Sequence, residues 1–538
     1  MFRIRHRELL LFAALVLTIA APTLAAEPAD RLLQRRENFA VDPAWEGMNN
    51  RITPKTLRTV KQDFGYRAGR FAGGEAAGEI GGTVNKSKSI AYYAKNIPAE
   101  SLDDTLSASG TLYLRESHVS SAIMVGWFNS KTRGWRTPNA LAFRMFGTNG
   151  YGRITFEYGT QKGGMASYRL IGNPYMMVRD SVTRRSTDEM LVEGLNLHSI
   201  DDLNPPDLAK ARPPKKSAAG AFEVRIDGGF DKSRFERSAP RRWELRYDPQ
   251  GAGGLGEITF TLDGRRSTLP LEPGHREEGA VFDRFGIFNV MLESGDFMEA
   301  YLDDIRIDGE LEDFGRDPGW EGVGNEVEYR SDVVDGAHNF GYSLTNHVAV
   351  GAPGEAGGLI FRKAPWTYYA DPQVGPLSLD DELYASGKVC LPYSTSDSGA
   401  MLGWFNSKTA LTDQTAYRRT PPNFIGAGIE GPSRVGQYHR AVYQTGAGES
   451  GDSPTGPVLP PDGKPHDFTL HYRPQAADGN GELTISLDGE SVVLKLAAGH
   501  KKSGATFDRF GILNWQTPGG HFVEIYWDDL SYTVGRKP

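Results

Sequence analysis

The sequence predicts an all-β protein: two tandem antiparallel β-sandwich (jelly-roll) domains behind a cleaved leader. Three observations predict it. The run Gly126-Trp127-Phe128-Asn129-Ser130-Lys131-Thr132 returns identically at Gly403-Trp404-Phe405-Asn406-Ser407-Lys408-Thr409, 277 positions on. Sixty-four glycines and 32 prolines divide the 538 residues into short runs, the pattern of many turns between short strands. Beyond the N-terminus no segment holds a long apolar period of 3.6 residues.

The first 26 residues read as a secretory signal. Arg3, Arg5 and Arg7 precede an apolar run, Leu9 to Ala21, and small residues follow at Ala25 and Ala26. That run is shorter than the ~20 residues of a spanning helix, and no cysteine follows it to carry a lipid. No second long apolar segment exists, so no membrane span is expected in the mature protein. Losing three arginines and one glutamate moves the formal charge from −8 to −10. An acidic chain without a basic stripe argues against nucleic acid as partner. Cys390 is the only cysteine, so no intramolecular disulfide can form. A secreted or bacterial periplasmic location follows from the leader and this cysteine usage.

Residues 27–39 form a polar leader. Unit 1 is expected over 40–309 and unit 2 over 315–535. They open on Asp42-Pro43-Ala44-Trp45-Glu46-Gly47 and Asp317-Pro318-Gly319-Trp320-Glu321-Gly322. Phe64-Gly65-Tyr66 is echoed by Phe340-Gly341-Tyr342, Gly74-Glu75-Ala76 by Gly354-Glu355-Ala356, and Tyr92-Tyr93-Ala94 by Tyr368-Tyr369-Ala370. The rear halves repeat at a shorter offset of 225, in Phe282-Asp283-Arg284-Phe285-Gly286 and Phe507-Asp508-Arg509-Phe510-Gly511. Unit 1 therefore carries an insertion, placed near 180–217, where paired prolines read as loop. Glu257 to Leu262 and Glu482 to Leu487 alternate polar and apolar residues and run into Asp-Gly, a hairpin signal.

These features resemble the concanavalin A-like lectin/glucanase superfamily. The carriers are the Trp-Glu-Gly opening, the central Gly-Trp-Phe-Asn strand, the Leu-Asp-Gly hairpin and a closing strand with Asp-Asp. They cover nearly all of both units. The resemblance implies a concave sheet that holds sugars and a structural Ca2+ joining the first and last strands. On that implication Glu46, Asp303 and Asp304 are expected as metal ligands in unit 1, and Glu321, Asp528 and Asp529 in unit 2. Laminarinase-like members carry Glu-x-Asp-x-Glu on one strand face; no such stretch occurs here.

Trp127 and Asn129 share one strand face. Turned outward, they would offer a stacking plane and an amide to a pyranose, with Arg136 and Asn139 on the rim. Trp404, Asn406, Arg419 and Asn423 repeat the set. The other reading places both tryptophans in the core and the asparagines in turns. Unit 2 alone holds His439, Arg440 and Tyr443, side-chain types a polysaccharide lyase needs for charge neutralisation and proton abstraction. Adjacent acids Asp103-Asp104 and Asp380-Asp381 read as turns. The expected function is carbohydrate binding, with a polysaccharide or glycan as partner. A hydrolase or lyase with its site in one unit is the alternative, and a structural or adhesive envelope protein is the second.

Overall fold

Period-two alternation lays out the sheets. Glu257–Leu262 buries Ile258, Phe260 and Leu262 and leaves the residues between them half-exposed, as a strand with one face on a core must. It turns through Asp263 and Gly264, at φ 46 and 79, into Arg265–Pro270. Positive φ at both central residues makes the tight hairpin turn that Asp-Gly favours. Glu482–Leu487 repeats this through Asp488 and Gly489, at φ 50 and 87, into Glu490–Lys495.

The computed structural model describes residues 32–118, 120–135, 137–148, 151–169, 239–293, 297–348, 351–363, 366–395, 398–409, 420–430, 437–515 and 521–536. Three two-residue strands are also described between 170 and 238. The signal, most of the 180–217 insertion, Arg136 and Arg419 lie outside the described residues.

Two sandwiches result. The back sheet of sandwich 1 runs from Arg265–Pro270 through Glu257–Leu262, Arg241–Asp248, Leu106–Ser117, Phe297–Ile307 and Glu79–Asn85 to Thr59–Arg67. Its front sheet runs from Met165–Arg169 through Tyr151–Gly159, Ala140–Thr148, Ala122–Phe128 and Val281–Asn289 to Tyr92–Ser101. Sandwich 2 repeats both. Its back sheet centres on Phe522–Arg536 beside Leu383–Ser394, and its front sheet on Gly399–Phe405 beside Arg509–Asn514 and Phe424–Glu430. A continuous apolar core fills each sandwich. The all-β, two-sandwich class read from the sequence is the class observed.

The folded bodies differ from the expected units 40–309 and 315–535, because the units exchange their openings. Glu310–Glu312 pairs with Phe297–Ile307, Glu321–Val323 with Tyr92–Ala94, and Glu326–Arg330 with Thr59–Asp63, so the start of repeat two completes sandwich 1. Phe314 and Trp320 enter its core, and Trp320 stacks on Tyr93 at 5.9 Å. Sandwich 2 is completed from the other end of the chain. Leu32–Glu37 lies antiparallel to the last strand, Leu32 opposite Arg536, and Glu46–Met48 pairs with Tyr368–Ala370. Phe39 and Trp45 fill its core, Trp45 edge-on to Tyr532 at 6.0 Å. Part of the expected polar leader 27–39 is thus a sheet strand, tied down by Arg35 on buried Asp371 at 2.5 Å.

The cause is local. Asp308 and Gly309, at φ 48 and 91, fold the chain directly back onto the strand it has just left. The opening of repeat two is consumed there, and the chemically equivalent N-terminal opening fills the place it vacates. A fragment of residues 55–332 should therefore unfold cooperatively as one sandwich, measured by thermal circular dichroism. A fragment of residues 40–309, the sequence repeat itself, should not. The reverse pattern would contradict the exchange.

Candidate functional site

The repeated run is the middle strand of each front sheet, and both of its faces are buried. Trp127 and Trp404 point into the sandwich cores with no exposed surface. Trp127 packs edge-on to Phe285 at 4.9 Å, and the Trp404 indole N–H donates to the Thr533 carbonyl at 2.8 Å. Neither can stack on a sugar, which corrects that expectation. The Asn-Ser-Lys-Thr portion is a turn. Asn129 donates to the Val281 carbonyl and accepts from the Lys131 N–H, while Ser130 donates through N–H and hydroxyl to Asp283. Asn406, Ser407 and Asp508 repeat this arrangement, except that Asn406 donates to the Thr506 hydroxyl. Asn139 and Asn423, at φ 51 and 56, accept from the N–H groups of Val281 and Thr506. All four asparagines fix loops to the neighbouring strand. Asp104 and Asp381 likewise accept from Ser101 and Ser378 in turns.

Glu46 and Glu321, expected as metal ligands, hold guanidinium groups instead. Glu321 meets Arg284 and Glu46 meets Arg509, each at 2.7 Å. Each ion pair joins one repeat's opening to the other repeat's front sheet.

His439, Arg440 and Tyr443 do not converge. Odd positions of Tyr438–Gln444 face the core and even positions face outward, as strand geometry requires. His439 is fully buried, 5.8 Å from Phe468, with no hydrogen-bond partner on either ring nitrogen. Burial pushes it down to about 4. Tyr443 is bonded to His500 at 2.8 Å. Sandwich 1 has the same pair in Tyr158 and His275, so this contact is structural. Arg440 lies on the opposite face, between Glu430 at 3.1 Å and Asp452 at 3.0 Å. The lyase constellation is not formed.

Two buried acids meet on the back sheet of sandwich 1. Asp303 and Glu79 are wholly buried, and Asp303 Oδ2 and Glu79 Oε1 have no hydrogen-bond partner. Asp303 Oδ1 accepts the Asp304 N–H, and Glu79 Oε2 accepts the Ala72 N–H. Glycines are needed around them. A Cβ on Gly74 or Gly69 would come within 2.0 Å of Asp303 Oδ2 or Glu79 Oε1. Burial, with the charges of Asp304 and Glu79, pushes Asp303 up to about 6.

Sandwich 2 keeps the acids as Asp528 and Glu355 but saturates Glu355. The hydroxyl of Thr345, which stands where unit 1 has Gly69, donates to Oε1 at 2.6 Å, and His347 Nδ1 lies 2.6 Å from the same atom. Among the described residues no group of three or more His, Cys, Asp and Glu gathers. Of the expected metal set, Asp303 and Asp528 are therefore at the acid pairs. Asp304 and Asp529 lie at bulges with φ 49 and turn their N–H groups back onto those acids. Glu79 was missed because its true echo, Gly78-Glu79 with Gly354-Glu355, was hidden by the alignment of Glu75 with Glu355.

A second set of unpartnered polar atoms lies on the outer face of the front sheet of sandwich 1. Strand register places Arg144 opposite Thr155 and Ala142 opposite Glu157. Arg144 reaches Glu157 at 3.3 Å and lies 4.5 Å from the ring centre of Trp135. Thr155 Oγ1 is buried with no hydrogen-bond partner, and buried Glu157 Oε2 is held by the Arg144 ion pair alone. Sandwich 2 borders this face. The Trp135 N–H donates to the Ser394 carbonyl at 3.1 Å, and a Cβ on Gly163 would lie 3.4 Å from Gln437 Cγ. Ser394 Oγ and both amide atoms of Gln437 are also buried without partners. The equivalent of Arg144 in sandwich 2 is Gly428, and Trp515 fills that space. The two outer faces are therefore different. Trp135 adjoins the expected Arg136 and could have been noticed; the others carry no repeat signal.

No protein-family model and no curated protein matches the chain. Solved structures similar to it include domains LG4-5 of the mouse laminin alpha1 chain, at 11% identity and TM-score 0.22, covering 84% of this chain and 89% of that one. The Emp47p carbohydrate recognition domain matches at 11% identity and TM-score 0.23, over 36% of this chain and 88% of its own. The alginate lyase vAL-1 from Chlorella virus matches at 10% identity and TM-score 0.22, over 47% and 91%.

The acid pairs set a pH dependence. Asp303, and Asp528 at about 7, hold in the folded state a proton that the unfolded chain releases near 3.8. Their contribution is present below about pH 4 and is lost as pH rises through 6 to 7. Buried His338 and His439, both lowered to about 4, act in the opposite sense, so the difference between variants is the clean measure. In chelator, the Tm of Asp303→Asn/Asp528→Asn minus that of wild type should increase between pH 4 and 7. A flat or falling difference would contradict the assignment.

Proposed function

We propose that the protein is a secreted or periplasmic carbohydrate-binding protein whose ligand contacts the outer face of sandwich 1 where sandwich 2 borders it. The observation that carries this reading is that buried polar atoms of Thr155, Ser394 and Gln437, on this face or beside it, have no hydrogen-bond partner. An unsatisfied buried polar group costs about 1–3 kcal/mol. A polyhydroxylated ligand offers donors and acceptors to all of them, and Trp135 supplies an aromatic surface beside them. The reading replaces the expected pair of sites on the Trp127 and Trp404 strands with one site on sandwich 1. It favours binding over catalysis, because the candidate lyase groups lie on opposite faces of their strand.

We infer in addition that Asp303 and Glu79 hold a structural cation of the calcium class. Their unpartnered oxygens support it, since calcium collects six to eight oxygens from carboxylates and carbonyls. Thr345 and His347 engage the corresponding Glu355, so one ion per chain is expected. The ion would tie the closing strand to the strand beside it, with no part in chemistry.

The test incubates the mature protein with a polysaccharide panel, in calcium and in chelator. Retention on polymer, reducing ends and unsaturated products are followed together. Retention without products is expected. Thr155→Val or Gln437→Leu should weaken it at least tenfold with Tm unchanged or raised. Calcium should raise Tm in wild type but not in Asp303→Asn. Silence across the panel, or full retention in both binding variants, would contradict the carbohydrate reading. An equal calcium response in Asp303→Asn would contradict the metal reading.

A further inference from the structure

Four cations gather where the strand Glu79–Asn85 ends near the outer face of the sandwich 1 front sheet. Three have carboxylate partners. Arg58 meets Glu293 at 2.8 Å, Lys88 meets Glu524, and Arg144 meets Glu157 at 3.3 Å. Lys86 has none among the described residues. It is 2% exposed, and its ammonium has one hydrogen bond, to Ser120 Oγ at 3.5 Å. A buried ammonium without a counter-charge is among the most costly arrangements in a folded protein. Its surroundings aggravate the cost. Burial, then Arg144, then Arg58 push Lys86 down to about 7. Among the described residues Glu293 is paired with Arg58 and Glu157 with Arg144, and neither is paired with Lys86.

Lys86 and Arg144 are linked through the chain. The Ser120 N–H donates to the Gly147 carbonyl at 3.1 Å, and Gly147 lies three residues beyond Arg144 on Ala140–Thr148. Lys86 therefore lies at the end of the sheet that carries Arg144, within reach of the Arg144 charge.

We propose that Lys86 and Arg144 receive an acidic group on the glycan, a carboxylate or a sulfate ester, so that the ligand is an anionic polysaccharide. This rests on the carbohydrate reading above and specifies its substrate class. A monoanionic substituent would supply the counter-charge Lys86 lacks, and the Arg144 guanidinium presents a planar set of donors suited to carboxylate or sulfate oxygens. The neutral hydroxyls of the same sugar would meet Thr155 and Gln437.

Binding to alginate and polygalacturonate (carboxylated), dextran sulfate (sulfated), and dextran and laminarin (neutral) is measured by affinity electrophoresis, with wild type and Lys86→Met. Met keeps the volume and removes the charge, so it should raise Tm while weakening the acidic polymer at least tenfold. A structural lysine would not show those opposite signs. Tighter binding of carboxylated or sulfated polymer than of neutral ones, lost in Lys86→Met, supports the proposal and tells which anion is preferred. Equal binding of neutral and acidic polymers, or an unaffected Lys86→Met, would overturn it and leave the carbohydrate reading standing. Absence of binding to every polymer would overturn both.

Discussion

Leu32–Glu37 lies against the last strand of the chain, Leu32 opposite Arg536, and sandwich 2, with the seam it forms against sandwich 1, depends on that closure. Without it the Phe522–Arg536 sheet loses an edge strand, and the Phe39 and Trp45 side chains leave the core of sandwich 2. The same junction in sandwich 1 forms locally, through the Asp308-Gly309 turn. One closure is a hairpin; the other spans almost the whole chain. Non-local pairing of this kind carries the larger loop-closure cost and should form late in folding. The two sandwiches are interlocked because sandwich 2 is built from both ends of the chain, with sandwich 1 as the continuous stretch between them. Contacts between the bodies reinforce the lock. The Tyr393 hydroxyl donates to the Met291 carbonyl at 2.5 Å, and an apolar cluster of Met291, Val333, Phe361, Tyr393 and Phe522 lies around it.

That interlock also creates the candidate site. Ser394 and Gln437 belong to sandwich 2, while Trp135, Arg144, Thr155 and Glu157 belong to sandwich 1. Neither set is complete alone. The most repeated residues are absent from it. Trp127, Trp404 and their asparagines recur because every copy of this sandwich needs a filled core and a pinned turn. Residues at the seam are unrepeated, since only one outer face borders the other body in this way.

Local features were legible in the sequence. The Asp-Gly hairpins, the alternating strands and the two-copy organisation follow from period, turn chemistry and self-similarity, all encoded within a few residues. The exchange of openings was not legible. Trp45-Glu46-Gly47 and Trp320-Glu321-Gly322 are the same motif, and either fits either sandwich; only the backbone turn at Asp308 decides. Which face of Ala122–Phe128 meets solvent was also hidden, because period two separates the faces without saying whether one is free. Arg144 and Glu157 lie on the two strands of one hairpin, and only its register, which no turn motif announces, brings them together. Glu79 was within reach, since it opens the same Gly-Glu-x-Gly-Gly run as Glu355.

The crossed completion is tested most directly by hydrogen exchange of full-length Trp320→Ala and Trp45→Ala. Removing a buried tryptophan side chain costs about 3–5 kcal/mol, enough to loosen the sandwich that holds it. Trp320→Ala should lose protection among the strands between Thr59 and Ile307, and Trp45→Ala among those between Asn339 and Arg536. If each substitution instead loosens the strands of its own sequence repeat, the openings are not exchanged and the account fails.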